Sequence, residues 1–380
     1  MKVLLLSEAC FNDTIFPLYK AMKGLGVDVT CLINLSSLNI SLFEIEKRIP
    51  KQAIIKASEY KELKKYKDYV DMDKMFLVNH GVDRKHPWRD LTRSMDVIKF
   101  IIDGRFDIIH TDILFERSYK LLYLFRKKIV FIRHDPFPHT GHNYTESYKR
   151  NLLLAYNKIP KIVLLNETQR EAFCKIFNVN SNKVYVNKLG VLECIKLHST
   201  NQTERKFNIL FFGRIVEYKG LEYLCKAMLK VHNAIPEATL TIAGSGSFYF
   251  DIEPYKQLPY IEIHNRFIKE KELAEFIQQS VISIFAYTDA TQSGGILTSF
   301  ALNKPVIASA LDTLKEVVKD NHNGILVPPK DPDALADAII NLLSDEDLRE
   351  KLKNNILNDN KYGSLSWDKI AQKYIEIYKA

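Results

Sequence analysis

The sequence predicts an α/β protein built from two doubly wound, parallel-sheet domains. Three observations carry this expectation. Short apolar runs alternate with longer amphipathic segments of helical period, the pattern of strands separated by crossover helices. The alternation restarts near residue 208, after a polar stretch at 199–206 that has no apolar anchor. The length, 380 residues, accommodates two domains at roughly 100–200 residues each.

The elements follow in order. The apolar run 3–6 reads as a buried first strand, and 15–25 as a helix stopped by Gly26. The runs 27–33, 108–110, 129–133 and 162–165 continue the strand series, with an amphipathic helix at 167–177. Strands alternating with helices argue for parallel sheets covered by helices on both faces. The first domain is placed at 1–198. The second, at 207–365, starts with the strand 208–212 and continues with strands at 239–243, 261–264, 282–285, 305–308 and 325–327. Helical segments lie between them at 221–231, 271–279 and 296–302. Asp331 followed by Pro332 is an N-cap with proline at the first helical position, opening the helix 333–343. The tail 366–380 is an amphipathic helix expected to pack back on the first domain. In such sheets ligands lie beyond the carboxyl ends of the strands, so the residues just after each strand carry the functional reading.

Composition narrows the classes. With 46% hydrophobic and 26% charged residues, disorder, collagen and coiled coil are excluded for the chain as a whole. Lys and Arg exceed Asp and Glu by 54 to 46, a mild excess that suits an anionic small molecule or a membrane surface as well as nucleic acid. No nucleic-acid-binding module is recognisable. Cys10, Cys31, Cys174, Cys194 and Cys225 are odd in number and widely spaced, with no CxxC, so they read as reduced thiols of a cytoplasmic protein. The opening apolar run is too short for a signal-peptide core, and no stretch reaches a bilayer-spanning length.

Two loops could carry chemistry. In the segment 211–220 a strand ends at Gly213, and Arg214 and Lys219 follow before a helix. Gly213 permits a sharp turn or a close ligand. A guanidinium fork and a compact ammonium could together hold a diphosphate and stabilise its charge as it leaves; two solvated loop cations are the alternative. In the segment 289–298, Ser293, Gly294 and Gly295 open a helix whose N-terminal amides could meet an anion; a plain helix-starting turn is the alternative. A third turn, Gly244-Ser245-Gly246-Ser247, is not a dinucleotide fingerprint, and that fingerprint is absent from the chain, which argues against a dehydrogenase or epimerase.

Taken in order, these pieces resemble the donor-binding domain of GT-B-fold glycosyltransferases of family 4, the glycosyl transferases group 1. The ordered set is Phe212-Gly213-Arg214 with Lys219-Gly220, then 242–246, then Phe267-Ile268, then Ser293-Gly294-Gly295 with Lys304-Pro305-Val306, then 316–318 with 323–329. The resemblance runs from about residue 208 to the end. It implies two Rossmann-like domains facing across a cleft. It implies Arg214 and Lys219 as the clamp on the donor diphosphate, beside Gly213. It implies Arg266, Phe267 and Ile268 near the nucleotide base, and Ser293, Gly294, Gly295, Ile296 and Thr298 near phosphate or sugar. It also implies a nucleoside diphosphate sugar as donor, no catalytic metal or other cofactor, and transfer with retention of configuration. The acceptor would be a saccharide or polyprenyl-linked saccharide of bacterial surface polysaccharide assembly.

The chain also departs from that family. Two glutamates eight residues apart are common before the Lys-Pro-Val segment, and here Ala290 and Thr298 occupy those positions, with Asp289 adjacent. A non-catalytic nucleotide-binding or partner subunit is therefore the alternative function. In the first half, Arg133-His134-Asp135 at a strand end is similar to the family's strand-end histidine, which assigns a sugar- or acceptor-side role to His134. His139 and His142 follow nearby, but prolines intervene and no Cys or Glu completes a metal set. The family's glycine-rich first loop is replaced by 7–13. Residues 47–67 hold eight Lys or Arg against two acids, interleaved with Ile49, Ile54, Ile55, Tyr60, Leu63 and Tyr66. This pattern suits contact with an anionic membrane at its cytoplasmic face, or a solvated helix face.

Overall fold

A computed structural model describes residues 1–35, 43–45, 54–79, 87–113, 117–137 and 145–380. The chain forms two compact units. The first comprises Met1–Pro138, Asn143–Leu189 and Trp367–Ala380, and the second includes Gly190–Ser366.

The first unit is built on an eight-stranded sheet. Its strands are β1 (Lys2–Glu8), β2 (Asp28–Leu35), β3 (Ile54–Lys56), β4 (Met75–Asn79), β5 (Ile108–Thr111), β6 (Ile129–Arg133), β7 (Lys161–Leu164) and β8 (Val184–Val186). The order is β3-β4-β2-β1-β5-β6-β7-β8. All neighbours are parallel except the edge pair β3–β4. Leu4, Leu6, Leu32, Ile109, Phe131 and Ile162 form the core of one face with residues of the covering helices, Val97, Ile101, Leu152 and Tyr156 among them. The strand order reverses between β1 and β5, so the carboxyl ends of these two strands border the switch point where such sheets bind ligands.

The C-terminal helix Trp367–Lys379 belongs to this unit. It buries Trp367, Ile370, Ala371, Tyr374, Ile377 and Tyr378, the three-and-four spacing that puts one apolar stripe on one face. Polar ties complete the docking. Asn187 Nδ2 donates to the Ile370 carbonyl over 3.0 Å, and Lys161 Nζ to the Tyr378 carbonyl over 2.9 Å. His110 Nδ1 lies 2.7 Å from Tyr378 Oη.

The second unit is a six-stranded parallel sheet. Its strands are β9 (Asn208–Phe212), β10 (Thr239–Gly244), β11 (Ile261–Asn265), β12 (Ile282–Phe285), β13 (Val306–Ser309) and β14 (Gly324–Val327), in the order β11-β10-β9-β12-β13-β14. The reversal here falls between β9 and β12. Asp331 caps the helix Pro332–Ser344 by accepting from the Ala334 amide over 2.9 Å.

Several elements differ from the expectation. The polar stretch 199–206 is bound into the second unit. The Thr200 amide donates to Gln278 Oε1, Gln278 Nε2 donates to Ser199 Oγ, and Lys304 Nζ reaches Glu204. The units change over at Leu189 and Gly190. Strands β3, β4 and β8 are absent from the expected series: β3 and β8 are three-residue edge strands that need few apolar residues, whereas the apolar run 75–78, which forms the interior strand β4, was not singled out. The segment 167–177 breaks into a 3-10 turn, Glu167–Gln169, and the helix Arg170–Phe177, since Asn166 Oδ1 caps the turn by accepting from the Thr168 amide.

The basic segment 47–67 is described from residue 54 on; its residues 47–53, with Ile49, lie outside the described residues, as do His139 and His142. Ile55, Tyr60, Leu63 and Tyr66 are core residues, each 9% exposed or less. The apolar half of this segment therefore faces inward and offers no lipid-facing stripe there. Among the described residues no helix is long and apolar enough to cross a membrane.

Candidate functional site

In the second unit the sequence-predicted residues gather along the carboxyl ends of β11, β10, β9 and β12. Backbone crowding holds the loops together. A Cβ at Gly244 would stand 1.8 Å from the Gly213 carbonyl oxygen, and one at Gly246 would stand 2.2 Å from that of Ile215. The Gly213 amide donates to the Ala243 carbonyl over 3.0 Å. Gly213 has φ +115° and Gly220 φ +67°, both in the region that glycine tolerates. They bracket the turn that carries the two cations.

Each cation is held by a tyrosine. Lys219 Nζ donates to Tyr287 Oη over 2.8 Å and lies 4.7 Å from the centroid of that ring. It also sits against Gly213, 3.0 Å from where a Cβ would be. Arg214 is exposed, and its Nη2 donates to Tyr218 Oη over 3.0 Å. The rings of Tyr218 and Tyr287 meet edge to face at 6.3 Å, and Thr288 N donates to the Tyr218 carbonyl over 2.8 Å. Ser293 Oγ stands 3.5 Å from Tyr287 Oη. Gly213, Arg214, Lys219 and Ser293 thus form one constellation at the β9–β12 switch point.

Ser293 caps the helix Gly294–Ala301 by accepting from the Ile296 amide over 3.3 Å. The Ile296 amide is therefore occupied by the cap, and its side chain is fully buried. The amides of Gly294 and Gly295, at the first two helical positions, have no intrahelical acceptor. Gly295 is required sterically, since a Cβ there would lie 2.7 Å from the Phe285 ring. Thr298 Oγ1 donates to the Gly294 carbonyl over 2.9 Å, so its hydroxyl is engaged by the helix backbone.

Arg266, Phe267 and Ile268 follow β11. The Arg266 amide donates to the Gly244 carbonyl over 2.9 Å, which joins this loop to the row. Its guanidinium forms a bidentate pair with Glu272. Phe267 is 70% exposed, an apolar ring open to a planar partner.

The first unit carries a separate polar cluster at the β1–β5 switch point. His134, after β6, has its Nε2 3.7 Å from Asp112 Oδ2, just after β5. Its ring stacks on Phe11 at 3.8 Å and 3°. Ser7 Oγ donates to the same Asp112 oxygen, and the Glu8 amide donates to Asp112 Oδ1 over 3.2 Å. Asn34 Nδ2 donates to Glu8 Oε1 over 2.7 Å. Burial pushes the Glu8 carboxyl up to about 7; the Asn34 hydrogen bond works against this and the Asp112 charge adds to it. Burial, helped by His134, holds His110 down at about 3, so it is neutral. Cys10 is exposed, but partial desolvation and the Glu8 and Asp112 carboxyls push its thiol up to about 12, which leaves it a poor nucleophile. Among the described residues no group of three His, Cys, Asp or Glu side chains is arranged to hold a metal.

Tyr287, Asp112, Glu8 and Phe11 were not singled out by sequence reasoning. Each stands at the end of a strand or within three residues after one, so strand-end position was the available signal, but a single tyrosine or aspartate there is too common to stand out.

Residues 206–345 match the family Glycosyl transferases group 1. An uncharacterized glycosyltransferase of Methanocaldococcus jannaschii is 30% identical over 242 residues, covering 58% of this chain and 60% of the relative. The chain therefore spans 60% of that relative's length, less than two thirds. Among solved structures, a glycosyltransferase from Rickettsia africae superposes with a TM-score of 0.65 at 19% identity, over 100% of this chain and 97% of the other. HepE of Anabaena, in complex with UDP and glucose, gives 0.67 at 14% identity over 99% of both chains. These likenesses carry the two-unit α/β fold. The second unit thus carries the match to glycosyl transferases group 1, over residues 206–345, on the two-unit GT-B fold.

Proposed function

We propose that the chain is a nucleotide-sugar-dependent glycosyltransferase that moves a sugar from a nucleoside diphosphate sugar to a hydroxyl acceptor. The carrying observation is the Gly213–Arg214–Lys219–Ser293 constellation, set at the switch point of a group 1 domain. Arg214 and Lys219 meet the diphosphate, and the Gly294 and Gly295 amides add neutral donors. In the transfer step the bond from the sugar's anomeric carbon to the diphosphate oxygen breaks and a bond to the acceptor oxygen forms. The acceptor proton passes to the leaving diphosphate, whose growing charge the two cations stabilise. Such same-face departure and attack gives retention. Phe267 stacks the base, and UDP is the first nucleotide to test, because HepE of Anabaena binds UDP.

The first unit takes the acceptor, with His134 hydrogen-bonded to sugar or acceptor hydroxyls. A saccharide or lipid-linked saccharide of surface polysaccharide assembly is the acceptor class, and the role assigned to the cations lets transfer proceed without a metal. The test is a thermal-shift screen with UDP, GDP, ADP and their sugars, followed by donor turnover with and without a chelator. A nucleotide that raises the melting point of the wild type, but not of Arg214→Ala/Lys219→Ala, is the expected result. Undiminished donor turnover by that double variant would reject the assignment. Binding without turnover would instead favour a non-catalytic nucleotide-binding subunit, the reading suggested by Ala290 and Thr298.

A further inference from the structure

We infer that Asp112 is the positioning residue for His134, fixing the orientation of the imidazole and placing a carboxylate against its Nε2. This rests on the proposed role of His134 in transfer.

Four observations carry the inference. First, the Asp112 side chain is 2% exposed and that of His134 12%, so neither is a freely rotating surface group. Second, both carboxylate oxygens of Asp112 are fixed from β1: Oδ2 by the Ser7 hydroxyl and Oδ1 by the Glu8 amide. Third, Oδ2 faces His134 Nε2 at 3.7 Å, an ion-pair distance, while Phe11 lies flat on the imidazole at 3.8 Å. The ring is thus held by its face and at its Nε2 edge. Fourth, Asp112, His134, His110 and Lys188 line one small cavity of about 20 Å³, with Trp367 and Tyr374 from the C-terminal helix. That is room for about one water or one substrate hydroxyl group.

The surrounding charges favour this division of labour. Glu8 stands beside Asp112 with its carboxyl raised to about 7 by burial, so at neutral pH the pair carries less than two full negative charges. His110 on β5 is neutral and engaged by Tyr378, so it does not compete with His134 for the aspartate. A buried carboxylate that receives a hydroxyl and an amide, and still faces an imidazole, resembles in its physics the orienting acid of other histidine-based sites.

The test uses the full chain and the nucleotide sugar, from a panel of UDP-, GDP- and ADP-sugars, that the wild type cleaves. Asp112→Asn should lower kcat by roughly 10- to 100-fold, the usual cost of losing a residue that orients another, with the donor KM within about twofold of wild type. Asp112→Glu should recover part of the loss. In a His134→Ala background Asp112→Asn should cost nothing further, because residues that act through one another do not add. Wild-type kcat in Asp112→Asn, or multiplying losses in the double variant, would overturn the inference. If His134→Ala alone keeps full turnover, the role of His134 itself is wrong, an outcome distinct from a low His134→Ala beside a normal Asp112→Asn. Should Asp112→Asn not fold, Ser7→Ala reads the same claim by freeing Oδ2. A lowered kcat that disappears in the His134→Ala background supports it, and an unchanged kcat overturns it.

Discussion

The amine of Lys219 and the ring of Tyr287 are bound to each other twice, by a 2.8 Å hydrogen bond to the hydroxyl and by cation–π contact at 4.7 Å. An ammonium has three donors, so the tyrosine takes one and leaves two for a ligand such as the proposed diphosphate. Tyr287 is 2% exposed and cannot swing away. The lysine is thereby held at the strand end before any ligand arrives, which spares its ordering cost on binding.

Tyr287→Phe keeps the ring and removes the hydroxyl. UDP affinity should weaken about tenfold, measured by calorimetry, with little change in melting temperature. Lys219→Ala should cost more, on the order of 10²-fold in donor turnover. Equal effects of the two substitutions would mean that Lys219 acts only through its partner.

Gly213 and Gly220 separate binding from folding. At Gly220 a Cβ would meet the Ala286 carbonyl oxygen at 1.8 Å, a backbone atom that cannot yield, at a φ of +67°. Gly220→Ala should lose more than about 2 kcal/mol of stability, read by denaturant unfolding. At Gly213 the obstacle is the Lys219 amine at 3.0 Å, the far end of a flexible chain. Gly213→Ala carries backbone strain too, but its larger signature should be weaker UDP binding, because the amine is displaced.

Lys304 belongs to the Lys-Pro-Val segment on which the resemblance partly rests, yet its amine is committed to the fold. It is 7% exposed and donates to the Gln278 and Ser280 carbonyls over 3.0 and 2.6 Å, and to Glu204. Lys304→Met takes this donor from both carbonyls and leaves Glu204 with Lys353 at 3.6 Å. It should destabilise by about 3 kcal/mol without changing the UDP dissociation constant of the folded fraction. A selective loss of UDP binding at unchanged stability would contradict this placement.

The first unit should show two opposed pH dependences. Glu8 has its folded-state pKa raised from 4.5 to about 7. The folded state then binds the extra proton between these values, and stability contributed there is present at low pH and lost as pH rises from 4.5 to 7. His110 is lowered from 6.5 to about 3. Its contribution is present above 6.5 and is lost as pH falls toward 3. In the wild type the two largely offset between pH 4.5 and 6.5. Glu8→Gln removes the first, so its unfolding free energy should rise across that interval by about 1.4 kcal/mol per pH unit. A profile as flat as the wild type's would disprove the assignment to Glu8.

The part of the proposed donor site that was legible in the sequence is the part made within one loop. Gly213, Arg214, Lys219 and Gly220 lie within eight residues of each other, and Ser293, Gly294 and Gly295 are consecutive. The strand ends, the glycines and the cap were therefore visible together. Thr298 and Ile296 were assigned to the ligand from their place in the motif, but their polar groups are engaged by the helix, a matter of hydrogen bonds that spacing does not reveal. The aromatic residues of the basic segment were equally ambiguous until the fold turned Tyr60, Leu63 and Tyr66 inward.

The sequence by itself determined the alternation of strand and crossover, the restart that makes two doubly wound units, and the cations at a strand end. Those features depend on local periodicity and turn chemistry, which act over a few residues. Tertiary structure alone decided that Tyr287 would hold Lys219, 68 residues away, and that Ser7 would fix Asp112, 105 residues away. It also decided that the last helix would close over His110 of the first sheet. Such pairings arise because a parallel sheet brings the carboxyl ends of distant strands to one edge, and it is strand order, not sequence distance, that determines which side chains meet there.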